Sequence, residues 1–296
     1  METPALEIRD LTKSFPQFKL GPMSLCVPQG AIYGFIGPNG SGKSTTLELI
    51  MGMGAKESGS INVFGMDHIA EEVEVKKRIG FFSPDTQFVA WGRVNRALNF
   101  FRGFYETWDD DYSMGLLDRF NLKWDAKIAT LSFGERTKLG LVLALSHRPP
   151  LLLLDEPMSG LDPVTRREVY TELLDVVQDE GRSVLISSHN LDEIERFADH
   201  IGIIQEGKML LEGSTASLLA RHRMVDATLR EGALAPAHLG ITLQQRDGLR
   251  VRILVDTKLI EVEALVKHGL SEFTDVPLSL EDLFIGLVKT PGKRAA

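Results

Sequence analysis

One short segment restricts the possible folds of this chain more than any other, the glycine-rich octapeptide Gly37-Pro38-Asn39-Gly40-Ser41-Gly42-Lys43-Ser44. It fits the pattern G-x-x-x-x-G-K-[ST] and lies between an apolar run at 31–36, which predicts a strand, and helical apolar spacing at 44–53. Glycines let backbone N–H groups turn inward toward phosphate oxygens, and the following helix start adds partial positive charge. The sequence therefore predicts a strand–loop–helix unit that binds phosphates.

Particular groups of this loop have predicted roles. Lys43 would reach the β- and γ-phosphates of a nucleotide, and the Ser44 hydroxyl would ligate Mg²⁺. The backbone amide of Thr45, in the first helical turn, would face the α-phosphate. On its own the loop indicates only a nucleoside triphosphate.

A second candidate site is a pair of adjacent acids, Asp155 and Glu156, at the end of the apolar run 151–154. An apolar run of this kind predicts a strand buried on both faces of a parallel sheet. Strand alternation sends the two side chains in different directions. Asp155 could then hold Mg²⁺ through water while Glu156 polarises the attacking water as general base.

A third segment, residues 131–135, reads Leu-Ser-Phe-Gly-Glu and opens a predicted helix. Ser132 places a hydroxyl near the helix N-terminus, and Gly134 gives backbone room there. A helix start with small residues is an anion site, although such a pentapeptide taken alone is more often an ordinary N-cap.

Composition restricts the class of protein. The 296 residues are 43% apolar and 25% charged, as in ordinary globular proteins, and the net charge of -8 argues against nucleic acid as a partner. The single cysteine, Cys26, excludes an intramolecular disulfide and is expected to be a small core residue. The N-terminus does not look like a signal peptide, and no apolar run approaches the roughly 20 residues that cross a bilayer. We expect a chain that does not span a membrane by itself.

The order of elements predicts an α/β fold with a mostly parallel sheet. Residues 87–130 are rich in aromatic side chains at helical spacing, which predicts a small helical subdomain; Phe88, Trp91 and Tyr105 are candidates for a partner-binding groove there. Short strands at 224–229, 243–246 and 250–255 and a helix at 258–268 predict a separate C-terminal piece. We expect a nucleotide-binding domain at 1–220, with its helical subdomain at about 87–130, and an α/β accessory domain at 221–296.

Together these motifs resemble the ABC ATPases over about residues 5–215. The resemblance is carried by the phosphate loop, the signature-like 131–135, the Walker-B-like 151–156, Ser159-Gly160-Leu161-Asp162 and Ser187-Ser188-His189. It implies a P-loop NTPase fold of ABC type with a mixed sheet, ATP and Mg²⁺ as ligands, and ATP hydrolysis.

The resemblance also implies a head-to-tail pair of ATPase domains that enclose each ATP. Ser132 and Gly134 of one copy would touch the γ-phosphate held by the other. Asp162 would couple the two sites across the interface. His189 would contact the γ-phosphate in its own subunit and orient Glu156, and Phe15 takes the place of the aromatic that stacks on adenine.

Two departures from the family pattern stand out. Phe133 and Glu135 replace the usual glycine and glutamine of the signature. After residues 79–82 the expected glutamine is also missing, because the chain reads Ser-Pro-Asp-Thr-Gln at 83–87. Asp85 is predicted to contribute to Mg²⁺ or water contacts in its place, with Gln87 as the alternative.

Residues 278–284 and 104–109 look like those of exporter ATPases of the drug-resistance and antibiotic-immunity type. Expected partners are therefore a second ATPase subunit, identical or paralogous, and an integral-membrane permease, with the chain at the cytoplasmic face of the membrane. Alternatives are a non-transport ABC ATPase, acting on ribosomes or DNA, and a nucleotide-binding regulatory subunit with weak hydrolysis. The gap of about ninety residues between Gly42 and Ser132 has no heptads, which argues against a DNA-repair ATPase.

Overall fold

The structure is a computed structural model that describes residues 3–86, 88–232 and 240–288. The strands are β1 Leu6–Phe15, β2 Phe18–Val27, β3 Ile32–Ile36, β4 Ser58–Val63, β5 Met66–Asp67, β6 Ile79–Phe82, β7 Leu151–Asp155, β8 Ser183–Ser188, β9 His200–Gln205, β10 Lys208–Ser214, β11 His222–Leu229, β12 Ile241–Asp247, β13 Arg250–Asp256 and β14 Leu270–Val276. The α-helices are α1 Lys43–Ile50, α2 Glu72–Lys77, α3 Val94–Arg102, α4 Asp110–Arg119, α5 Phe133–Leu145, α6 Pro163–Glu180, α7 Leu191–Glu195, α8 Thr215–Arg221 and α9 Leu280–Val288. Short 3-10 helices lie at Val89–Trp91, Ile128–Thr130 and Val262–His268.

The chain forms two compact units, described separately below. The first runs to Asn190 and includes Phe197–Glu212, and the second comprises Leu191–Arg196 and the chain from Gly213 onward. The division at residue 220 stays a prediction. Within the described residues, no helix is both long and apolar enough to cross a membrane.

A six-stranded sheet in the order β10-β9-β3-β8-β7-β6 forms the centre of the first unit. Strands β3, β7 and β8 are buried at every position, as expected for parallel strands covered on both faces. The pairs β3–β8 and β7–β8 are parallel, with Ile36 opposite Ser188 and Asp155 opposite Ser187. The carboxyl ends of these three strands therefore meet at one edge, where ligands bind in open α/β sheets.

A second, antiparallel sheet in the order β2-β1-β4-β5 shares an apolar core with the central sheet. Strand β2 alternates, so that Leu25 and Val27 are buried and Cys26 between them is exposed. The expectation that Cys26 is a core residue is wrong, because the two-residue period of this strand places its side chain on the outer face.

The region between β6 and β7 is mainly helical. Helix α3 buries Val94, Ala97 and Leu98 on one face, and α4 buries Leu116 and Leu117. Asp109 caps α4 by accepting a hydrogen bond from the backbone N–H of Tyr112 at 2.8 Å. The apolar stripes of these helices pack against α5, which leaves other aromatic side chains on the surface.

A buried histidine, His147, lies just after α5. Its ring stacks on Tyr105 with centroids 3.8 Å apart, and its Nε2 lies 3.2 Å from the backbone oxygen of Ile79. Burial lowers the pKa of His147 from 6.5 to about 4, because a desolvated site disfavours the imidazolium form. One ring face of Tyr105, a candidate for partner binding, is therefore covered by His147.

This shift predicts a pH dependence of folding. Between pH 6.5 and about 4 the unfolded chain binds a proton that the folded chain does not, so stability present above pH 6.5 is lost as the pH falls toward 4. The loss is about 3 kcal/mol. Tryptophan fluorescence follows the first unit alone, since Trp91, Trp108 and Trp124 all lie in it. We expect wild type to lose about 3 kcal/mol more than H147N between pH 7 and pH 4, whereas parallel curves would contradict the shift.

The second unit contains an antiparallel sheet in the order β12-β13-β11-β14. Alternate residues of β11 and β13, among them Val225 and Ile253, pack with Leu265 of the 3-10 helix in one apolar core. The predicted helix at 258–268 is instead a turn followed by that 3-10 helix, which ends at Gly269 in the left-handed conformation. Strand β14 and helix α9 were not predicted.

Candidate active site

The phosphate loop connects β3 to α1 in a backbone conformation that only glycine adopts easily. Gly40 and Gly42 have φ of 77° and 109°, in the left-handed region. At Gly37 the constraint is space, because a Cβ there would lie 2.3 Å from the backbone oxygen of Ile204. Ser41 has a buried hydroxyl that forms no hydrogen bond in the part of the chain described here. A buried donor of this kind fits a loop built to receive an anion.

Lys43 opens α1 and folds back over the loop. Its Nζ donates to the backbone oxygens of Gly37 at 2.8 Å and Pro38 at 3.3 Å. The same Nζ lies 3.2 Å from Oε1 of Glu156. The side chain of Lys43 is only 5% exposed, so its charge is concentrated at the loop, where phosphate oxygens would replace these partners.

Asp155 ends β7 and Glu156 follows it, and their side chains point in different directions, as predicted. Asp155 is buried, and its Oδ1 accepts a hydrogen bond from the Ser187 hydroxyl at 2.6 Å. Glu156 leaves the strand with φ of 46°, unusual for a residue other than glycine. Its Oε2 lies 2.5 Å from Nδ1 of His189. This distance fits a hydrogen bond in which Nδ1 of His189 donates to the Glu156 oxygen.

A pocket of about 870 Å³ brings most of the predicted site residues together. Its lining includes much of the phosphate loop together with Glu156 and His189. The full set is Phe15, Gln17, Phe18, Asn39, Gly40, Gly42, Lys43, Ser44, Thr45, Pro84, Phe133, Glu156, Ser159, Gly160 and His189. Gln17, Phe18 and Ser159 were not among the predicted binding residues. Phe15 is 41% exposed, with Lys13 Nζ 5.3 Å and the Phe18 ring centroid 6.2 Å from its ring centroid, and its stacking on adenine stays a prediction.

The loop after β6 presents a residue other than the predicted one. Pro84 lines the pocket, whereas Asp85 is exposed and is not part of the lining. The backbone N–H of Asp85 donates to Ser83 Oγ at 3.4 Å. Gln87, the alternative, lies outside the described residues. A contribution of Asp85 to Mg²⁺ contacts stays a prediction.

The signature segment forms a capping box at the start of α5. The Ser132 hydroxyl accepts from the Glu135 N–H at 3.2 Å, and Glu135 Oε2 accepts from the Ser132 N–H at 2.7 Å. This backbone hydrogen bond holds the pKa of Glu135 below its usual value. The carboxylate in place of glutamine therefore stabilises the start of α5, where it interacts with both the backbone N–H and the hydroxyl of Ser132.

The neighbouring residues of the signature contact the start of α6 and the segment before it. A Cβ on Gly134 would lie 3.2 Å from Thr165 Cγ2, and one on Gly160 would lie 3.2 Å from Phe133 Cε1. Asp162 caps α6, since its Oδ1 accepts from the N–H groups of Val164 at 3.0 Å and Thr165 at 3.1 Å. Hydrogen bonds from Thr165 and Val164 lower the pKa of Asp162.

Comparison with known proteins agrees with this geometry. A family model described as "ABC transporter" matches residues 20–159, and one described as "AAA domain, putative AbiEii toxin, Type IV TA system" matches 124–195. The ABC transporter ATP-binding protein YtrB of Bacillus subtilis is 30% identical over 98% of this chain and 99% of its own length. This chain is an ABC transporter ATP-binding subunit. As a member of this family it is an ATPase.

Other ABC ATP-binding subunits are similarly related. The bacitracin transport ATP-binding protein BcrA of Bacillus licheniformis is 35% identical, covering 74% of this chain and 72% of its own. The daunorubicin/doxorubicin resistance ATP-binding protein DrrA of Streptomyces peucetius is 30% identical over 98% and 94%. A solved dimeric ATP-binding cassette bound to ADP and Pi has a TM-score of 0.63 at 21% identity, covering 71% of this chain and 98% of its own. The fold predicted from sequence is confirmed.

Proposed function

We propose that this ABC ATPase powers an exporter, with Glu156 as the base that activates water. The observation that carries the proposal is the position of the Glu156 carboxylate, 3.2 Å from Lys43 Nζ on one side and 2.5 Å from His189 Nδ1 on the other. One carboxylate thus touches both the lysine that would hold the γ-phosphate and a histidine that fixes its orientation. A general base needs this placement next to the reacting group.

Hydrolysis then depends on positioning and charge. Lys43 and the loop N–H groups stabilise the charge that develops on the γ-phosphoryl oxygens, while Glu156 takes a proton from the attacking water. Ser132 and Gly134 of a second copy would complete the enclosure of the γ-phosphate. The ionised Asp162, at the cap of α6, would act across that interface.

The donor set near the loop suits Mg²⁺, which prefers carboxylate, hydroxyl and phosphate oxygens. Asp155 and Ser44 are the residues that would hold it, Asp155 through water. One Asp155 oxygen accepts from Ser187, and the other accepts no hydrogen bond from the residues that the structure describes, so a bound water could donate to it. When bound, Mg²⁺ would neutralise charge on the phosphates.

Export is supported by the relatives named for bacitracin transport and for daunorubicin/doxorubicin resistance. The chain would act at the cytoplasmic face of a membrane, on a separate permease. The test is the ATPase rate of the purified chain, alone and in proteoliposomes with a co-expressed membrane permease. Stimulation by that protein, and none by ribosomes or DNA, is expected, and stimulation by ribosomes or DNA instead would contradict the proposal.

An exposed aromatic patch, defined as Trp91, Phe100 and Phe104, is the best surface for docking the permease. The Trp91 and Phe100 rings are 5.5 Å apart and the Phe100 and Phe104 rings 5.1 Å. Phe100 is 49% and Phe104 61% exposed, whereas Phe88, another candidate for this groove, is buried. The patch begins a few residues after Pro84, which lines the nucleotide pocket. Docking of the permease on the patch can therefore affect the nucleotide pocket through this segment.

Removing the exposed rings should uncouple the ATPase from its permease. Because exposed aromatics that become buried at an interface are frequent hot spots, we expect F100S/F104S to bind the permease about 30-fold more weakly. Basal ATPase activity should stay unchanged. The matched control is L259S, which removes an equally exposed apolar side chain, 52% exposed, from the second unit. Full permease stimulation of F100S/F104S in proteoliposomes would contradict this assignment.

A further inference from the structure

Ser187 carries a hydroxyl group in a buried part of the central sheet. It is the penultimate residue of β8, is fully buried, and pairs with Asp155 of β7 and Phe35 of β3 on its two sides. Its neighbours include the apolar Phe35 and Ile186 as well as the buried polar residues Asp155 and Ser188. A hydroxyl buried without partners is destabilising, so the contacts of this one decide what it contributes.

Both of its hydrogen bonds go to the acid pair. The Ser187 oxygen lies 2.6 Å from Asp155 Oδ1 and 2.9 Å from the backbone nitrogen of Glu156. An amide N–H can only donate, so the hydroxyl accepts from Glu156 and must give its own hydrogen to Asp155. The direction of both bonds is thereby fixed, and Asp155 is held as an acceptor.

The second of these bonds acts on a strained backbone. Glu156 has φ of 46°, and such a conformation persists at a non-glycine residue only where the surroundings hold it. The bond to the Glu156 N–H is one restraint at the point where the chain leaves β7. It turns the side chain toward Lys43 and His189, the two groups that contact the carboxylate.

We propose that Ser187 is a positioning residue that sets Asp155 and Glu156 in one fixed relative geometry, an inference that rests on the proposed function of these two acids. Ser187 is not itself a pocket-lining residue, although Glu156, to which it is hydrogen-bonded, is one. Its hydroxyl acts through the acids: on Asp155 through a side-chain bond and on Glu156 through the backbone. Loss of the hydroxyl should therefore affect the contribution of Mg²⁺ and the hydrolysis step, and leave phosphate-loop binding intact.

The test compares S187A, S187C and a matched control. S187C fills nearly the same space with a weak donor, so it separates the hydrogen bonds from packing. The control is S183A, which removes a hydroxyl from the opposite end of β8, also buried and accepting from the Gly30 N–H at 2.9 Å. Thermal unfolding of the three variants measures the structural cost common to them.

The readout that needs no turnover is the affinity for a fluorescent ADP analogue, measured with and without Mg²⁺. For S187A and S187C we expect the gain in nucleotide affinity from Mg²⁺ to fall about tenfold or more, as when a residue that orients a metal ligand is lost, with unchanged affinity in EDTA. Their kcat should fall about 10–100-fold with little change in KM. S183A should match wild type in both.

The possible outcomes distinguish a failure of this inference from a failure of the proposed function. If wild type binds Mg²⁺-nucleotide and hydrolyses ATP while S187A and S187C behave as S183A does, the role of Ser187 is refuted and the proposed function stands. Equal losses of nucleotide affinity with and without Mg²⁺ would also refute the role of Ser187, because that pattern indicates general damage to the fold. If wild type itself fails to bind or hydrolyse, the proposed function is wrong and this inference falls with it.

Discussion

Replacing Glu156 by glutamine should lower kcat for ATP hydrolysis by about 10²–10⁴-fold, the usual contribution of a general base. ATP binding should persist or tighten. The Glu156 carboxylate lies 3.2 Å from Lys43 Nζ, so it competes with phosphate for that cation and repels the phosphate as well. A glutamine keeps the shape and removes both effects.

Single-turnover hydrolysis and nucleotide affinity, measured on the same preparation, check this prediction. The matched control is E48Q, which removes a negative charge from an exposed position of α1, and which should hydrolyse ATP like wild type. Near-normal turnover by E156Q would show that another group takes the proton from water. Loss of ATP binding together with turnover would show that Glu156 has a structural role instead.

The second large effect is expected at Lys43. K43A removes a buried cation whose hydrogen bonds would pass from Gly37, Pro38 and Glu156 to the phosphates. Hydrogen bonds to charged groups contribute about 1.5–3 kcal/mol, so affinity for ATP should fall about 10–100-fold. Competition with a fluorescent nucleotide measures this change directly.

The control for K43A is K76A, which removes a cation paired with Glu72 on the surface of α2 and should leave nucleotide affinity as it is. Circular dichroism must show that K43A is folded, because Glu156 loses an ionic partner in this variant. A folded K43A with wild-type affinity would contradict the assignment of residues 37–44 as the phosphate loop.

Much of the fold and site was predictable, because the information is local. The phosphate loop follows directly from spacing, and glycine at 40 and 42 is required by φ at those positions. The buried strand β7 reads as an apolar run, and its end places Asp155 and Glu156. Which residues share one edge of the sheet follows from parallel strand order, which a βα alternation predicts.

The features that could not be predicted from the sequence depend on strand register and on the exposure of individual side chains. The contact of Ser187 with both acids requires β8 to pair with β7 so that residue 187 stands opposite 155. No pattern in either segment reveals that pairing. Cys26 shows the same limit, since a shift of β2 by one residue would bury it. Pro84 rather than Asp85 lines the pocket because of loop geometry, which spacing alone does not fix.

The second unit was harder, since its elements are short and amphipathic. The segment predicted as helix 258–268 becomes a 3-10 helix at Val262–His268. The helical spacing of its apolar residues was real, but only Leu265 is fully buried there, so little packing supports a longer helix. The apolar residues of strand β14, Leu270, Phe273 and Val276, are three positions apart, so the segment lacks the two-residue period by which a half-buried strand is predicted.

Equilibrium dialysis of the wild-type chain against ATP and Mg²⁺ tests the central claim most directly, because every role assigned above needs a nucleotide on the phosphate loop. One ATP bound per chain at millimolar or lower concentration is the predicted result. A folded protein that retains no nucleotide throughout the millimolar range would contradict it.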